Sequence, residues 1–247
     1  MLPERSHRDP VVLREDPLAP WATGLAGRLD RLGFEVALVP DEAELRGQLA
    51  RCEGPQAVLL NVGLGAHELG DSLATVADAS HRQDLTVLAI GDEPSPPTRE
   101  QLRRAGVTLS AFGSLDDPML RFQVNRAFLA ARHAGPARRE RRAPLDWAVG
   151  VHFGTHHLTT RLYSLSRRGA FLEMVRPPTD GTELELDLPL PQGPARVGSQ
   201  VVHSNPPGHR RWRRAPIGVG IRFEALRDET AARIDAVVTE RCAAMLL

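Results

Sequence analysis

Ser164-Leu165-Ser166-Arg167-Arg168-Gly169 ends a strand-length run on a tight turn, and Arg138-Arg139-Glu140-Arg141-Arg142 stands upstream of it. Two small hydroxyls followed by a glycine suit a turn between antiparallel strands. On both sides of that turn the apolar period is two. Trp147, Val149, Val151 and Phe153 alternate with smaller or polar residues, as do Leu184, Leu186 and Leu188, and then Ile217, Val219, Ile221 and Phe223. Such half-buried strands, punctuated by PPTDG, PQG and NPPG, predict a small antiparallel β-barrel. A final helix follows, with Asp228 as its cap and Ile234, Val238 and Met245 on its inner side.

The arginine pair four apart, the strand, the Ser-x-Ser-x-x-Gly turn and the late Gly218-x-Gly220-x-x-Phe223 pattern together resemble a PilZ domain, the bacterial cyclic di-GMP receptor module. The resemblance covers residues 138 to 240. It implies a clamp of Arg138 and Arg142, with Arg139, Ser164 and Ser166 among the binding residues and Gly169 as a close-approach turn. The chemistry suits the ligand, which carries two phosphodiester charges and two guanines. Guanidinium forks match phosphate oxygens and guanine O6 and N7 alike. Ser164 stands where the family usually carries Asp or Asn. A carboxylate there accepts charge-assisted hydrogen bonds worth roughly 1.5–3 kcal/mol. Serine recovers part of that, so affinity is expected to fall about tenfold to a hundredfold. An RxxxR spacing alone carries little, since Arg210 and Arg214 share it. The order of the elements carries the resemblance.

Upstream, short apolar runs alternate with amphipathic segments. Val11 to Leu13, Phe34 to Val39, Ala57 to Val62, Leu85 to Ile90 and Thr108 to Phe112 are expected as strands. Trp21, Leu25, Leu29 and Leu32 recur at helical spacing up to Gly33, and Asp41 with Glu44 makes a capping-box pattern. Asp117 and Pro118 open a helix with Leu120, Val124 and Phe128 on one face. Strands and helices at this pitch predict a doubly wound, five-stranded parallel α/β sheet. The order resembles a response-regulator receiver, a flavodoxin-like fold. A working receiver needs adjacent acids after strand one, an Asp after strand three and a Lys after strand five. Here the positions hold Arg14-Glu15, Asn61 and Gly113. An amide cannot attack phosphorus as a carboxylate does, so this half is expected to be a pseudo-receiver without phosphotransfer. Its last helices and strand are the expected face for a protein partner or a homodimer.

The expected organisation is therefore a receiver-like domain at 1–130, a basic linker at 131–143 (ARHAGPARRERRA), and a PilZ-like barrel with a C-terminal helix at 144–247. The 31 basic and 31 acidic residues cancel, which argues against a nucleic-acid partner. The basic charge is Arg, clustered at 138–142 and 210–214. Apolar runs are too short to span a bilayer, and the N-terminus lacks a signal-peptide centre. A cytoplasmic protein is expected. Cys52 and Cys242 lie far apart and suggest neither a disulfide nor a metal site. His156, His157, His203 and His209 show no acidic partner at ligand spacing and are expected as surface or loop residues, with no metal and no cofactor. No catalytic constellation appears, so no enzyme is expected. Two functions remain: a cyclic di-GMP receptor relaying through its pseudo-receiver, or a ligand-independent adaptor in motility or polarity regulation.

Overall fold

A computed structural model describes residues 9–15, 20–51, 56–80, 84–132, 140–207 and 216–247. The chain divides into two compact units, Met1–Gly135 with Ala244–Leu247, and Pro136–Ala243.

In the first unit, β1 (Asp9–Arg14), β2 (Phe34–Val39), β3 (Gln56–Asn61), β4 (Leu85–Gly91) and β5 (Leu109–Phe112) form one parallel sheet in the order β2-β1-β3-β4-β5. That is the order shared by flavodoxin and CheY. Val11 to Leu13 and Ala57 to Leu60 are fully buried, which suits central strands covered on both faces. The helices between them are α1 (Pro20–Arg31), α2 (Glu42–Arg51), α3 (Ala66–Ser80), α4 (Pro96–Arg104) and α5 (Asp117–Arg132). Gly33, at φ +91°, stops the chain after α1. Asp41 accepts from the Glu44 amide at 2.8 Å and so caps α2. Ser95 caps α4, accepting from Thr98 N, with Pro96 and Pro97 in the first turn.

One expected cap is corrected. Asp116, not Asp117, caps α5, its Oδ1 accepting from Met119 N at 2.8 Å. Asp117 is left to pair with Arg28 of α1 at 2.7 Å. Leu120, Val124 and Phe128 do share the buried face of α5.

In the second unit, β6 (Ala143–Phe153), β7 (His156–Ser166), β8 (Gly169–Glu173), β9 (Glu183–Leu188), β10 (Ala195–Asn205) and β11 (Gly218–Phe223) close into an antiparallel barrel, order β10-β11-β8-β7-β6-β9. Closure removes exposed sheet edges. Val149, Val151, Leu184, Leu186, Leu188, Val219 and Ile221 fill its interior. The α6 helix (Asp228–Ala243) buries Ile234, Val237, Val238 and Cys242, and Arg241 Nε donates to the Pro144 carbonyl of β6 at 3.3 Å.

Several expected boundaries move. Asp228 is the first helical residue of α6. Met245 lies beyond that helix, in the tail Ala244–Leu247 that groups with the first unit. In that unit the Phe112 amide donates to the Ala244 carbonyl at 2.9 Å, and Leu247 packs against the Val12–Leu60 core. At the expected linker, Ala131 and Arg132 still belong to α5, and Ala143 already opens β6. Trp147 and Phe153 are half-buried, whereas Val149 and Val151 between them are fully buried.

Candidate functional site

The Ser164–Gly169 stretch is the end of β7, a two-residue turn and the start of β8, with Ser166 paired to Gly169. The turn residues Arg167 and Arg168 are exposed. Ser166 is buried, and its hydroxyl donates to the Gly169 carbonyl at 3.0 Å, so its proton is spent inside the turn. Gly169 faces the backbone of β11 so closely that a Cβ would stand 2.1 Å from the Ile221 carbonyl oxygen. The glycine is therefore demanded by strand packing. Phe223 N donating to Arg168 O at 2.9 Å locks the same corner.

The upstream basic segment reaches this turn twice. Arg142, half-buried, directs Nη1 at the buried Ser164 hydroxyl at 3.5 Å, the long limit for a hydrogen bond. Glu140 pairs with Arg168 Nε at 2.9 Å. Arg138 and Arg139, the other expected binding arginines, lie outside the described residues, as do His209 and Arg210 to Arg214.

A residue missed in the sequence joins them. Arg222 is the cross-strand partner of Gly169, is exposed, and donates to Gln200 Oε1 at 3.1 Å. The register thus gathers Arg142, Arg167, Arg168 and Arg222 around one turn, where Glu140 pairs with Arg168. Five N–H donors per guanidinium make such a rim a receptor for a planar or multiply charged anion. The only sequence signal for Arg222 was its place in the Gly218-x-Gly220-x-x-Phe223 strand.

The receiver-like corner is built differently. At the carboxyl ends of β1 and β3, the place where open α/β sheets bind ligands, stand Arg14, Glu15 and Asn61. Arg14 Nη1 turns to the Pro40 carbonyl at 2.5 Å. The Asn61 amide donates to the Glu15 carboxylate, while its Oδ1 accepts from Gly63 N at 2.8 Å. Gly113, in the lysine's expected position, donates its amide to Gly91 O at 2.8 Å. The whole chain contains no lysine.

His156 and His157 are exposed on β7, and His203 is half-buried. The expectation of no acidic neighbour is corrected for His157, because strand pairing brings Asp187 and His152 beside it.

A family model for the PilZ domain matches residues 136–240. No curated protein sequence matches the chain. Among solved structures, the chemotaxis protein CheY4 of Vibrio cholerae is similar at 15% identity over 49% of this chain and 98% of its own, with a TM-score of 0.41. The PilZ domain of YcgR from Escherichia coli, solved with c-di-GMP, is similar at 17% identity over 42% of this chain and 90% of its own, TM-score 0.31. The PilZ domain of CeSA from a cellulose-synthesizing bacterium is similar at 16% identity, covering 40% and 95%, TM-score 0.32.

Proposed function

We propose that this protein is a non-enzymatic cytoplasmic signalling protein that binds cyclic di-GMP, weakly, through its barrel and relays the event through a phosphorylation-incompetent receiver-like unit. The observation that carries the reading is the seating of Arg142 against Ser164, within a rim of exposed guanidiniums at the Gly169 turn. In this reading Arg138, Arg139 and Arg142 grip the phosphodiesters and guanine edges. Ser164 supplies the one polar group where the family carries a stronger acceptor, which makes the binding weak. Ser166 and Gly169 hold the turn in shape. Ligand closure would pull the basic segment onto the barrel, and the energy of that ordering is what a partner on the first unit can sense.

The absence of phosphotransfer is supported by Asn61 in place of a nucleophile, by Arg14 where a metal-binding acid would stand, and by the lack of any lysine. The same features favour a second reading, a ligand-independent adaptor whose two units both serve protein contacts in motility or polarity regulation. Melting temperature separates the two. A ligand that binds only the folded state at a hundred times its Kd adds about 2.7 kcal/mol of stability. A saturable rise with cyclic di-GMP, absent with GMP, is expected of the receptor; no rise at millimolar ligand leaves the adaptor.

A further inference from the structure

A second polar cluster sits on the outer wall of the barrel, independent of the nucleotide reading. His152 of β6 is the direct cross-strand partner of His157 of β7, and Asp187 of β9 stands opposite Gly150. Val149 and Val151 are buried inside, so alternation puts Gly150 and His152 on the outer face. The two imidazoles stack with centroids 4.4 Å apart. One nitrogen of each ring and a carboxylate oxygen all lie within 4.8 Å of one another.

Gly150 supplies the space between them. A Cβ there would stand 3.1 Å from Asp187 Oδ2 and 3.4 Å from His157 Nε2. Its absence leaves a notch floored by backbone, faced by a carboxylate oxygen and an imidazole nitrogen, with His152 Nε2 only 2.6 Å from that same oxygen. A side chain at this position would occupy the notch.

We propose that His152, His157 and Asp187 form a binding site for a borderline divalent transition-metal ion such as zinc, seated over Gly150. Two neutral imidazoles and a carboxylate are a donor set of three-ligand zinc sites, which leave one position for water or a partner's ligand. Donors about 2.0–2.2 Å from a tetrahedral ion stand roughly 3.4 Å apart. The trio, within 4.8 Å, would close to that spacing by side-chain rotation on binding. The Asp187 carboxylate already accepts hydrogen bonds from Arg196, and its Oδ2 lies 2.6 Å from His152 Nε2, so it faces the site.

Arg196 competes for the site. Its Nε and Nη2 hold both Asp187 oxygens, at 2.8 and 3.2 Å. Its side chain is exposed. Exposed ion pairs of this kind are weak. Metal and guanidinium therefore exclude each other on Asp187.

The test is a calorimetric titration of zinc chloride into the untagged full chain, stripped of metal beforehand. One site is expected. His157→Ala and Asp187→Asn should each weaken it about tenfold or more, as even outer-shell changes do at metal sites. Gly150→Ala should weaken it as well, and Arg196→Ala should tighten it. Cobalt in place of zinc should give the visible absorption of a tetrahedral ion, lost in His157→Gln, a change at an exposed position that leaves the fold alone. Unchanged zinc affinity in His157→Ala, His157→Gln and Asp187→Asn would overturn the proposal, as would indifference to Arg196→Ala.

Discussion

Each unit has a corner where strand ends present polar side chains, and the two corners are finished in opposite ways. In the receiver-like unit the polar groups face one another. Asn61 donates to Glu15, and Arg14 Nη1 donates to the Pro40 carbonyl, while the buried Arg14 Nε makes no hydrogen bond among the described residues. In the barrel, Arg167, Arg168 and Arg222 are exposed around the turn, with Arg168 paired to Glu140 and Arg222 to Gln200, and Arg142 points at a buried serine. Buried polar groups are mostly paired, and at the receiver-like corner the Asn61 and Glu15 side chains pair with each other. A basic rim gains most when an anion arrives. The difference teaches that loss of a nucleophile and loss of a carboxylate are not equivalent. Asn61 bonds to Glu15 and to the Gly63 amide, whereas Ser164 leaves the basic residues in place and removes one acceptor.

The largest effect expected from disturbing either corner is steric. Gly169→Ala should destabilise the barrel by about 3 kcal/mol or more, because the added carbon meets the Ile221 carbonyl of β11. Chemical denaturation measures it; a loss under about 1 kcal/mol would mean that the turn has slack and the glycine serves something other than packing. Next, Arg142→Ala should cost about a hundredfold or more in cyclic di-GMP affinity, while Arg211→Ala should leave it nearly intact. Equal losses would point to diffuse charge and dissolve the distinction between a site and a basic surface.

Ser164→Asp should move affinity the other way, tightening it about tenfold to a hundredfold by restoring a charged acceptor. No gain would mean that the barrel corner is as closed as the receiver-like one. The smallest effect belongs to the first unit. Asn61→Asp sets two carboxylates face to face and should cost about 1 kcal/mol at neutral pH. One carboxyl of the pair then titrates above its unfolded value. The penalty is absent below the ordinary carboxylate range and grows as pH rises through it, so acid should rescue the variant. Uptake of a phosphoryl group from acetyl phosphate by this variant would show a corner that had lost only its nucleophile.

Much of this was legible in the chain. Period two against period 3.6 separates the units, and the buried runs Val11–Leu13 and Ala57–Leu60 mark central strands because parallel sheets bury both faces. The cap of α5 was misplaced by one residue because two adjacent aspartates precede Pro118, and only geometry shows which one turns back to the helix. The burial of both Ser164 and Ser166 was not legible, since a register slip between Leu162 and Ser164 upsets simple alternation. Arg222 and the His152, His157 and Asp187 trio depend on which strands lie side by side, and no local spacing encodes that.

Calorimetric titration of cyclic di-GMP into the 247-residue chain tests the open corner most directly. A saturable heat with micromolar affinity, abolished by Arg142→Ala, is the expected result. No heat at millimolar ligand from a folded sample, with none recovered in Ser164→Asp, would contradict it.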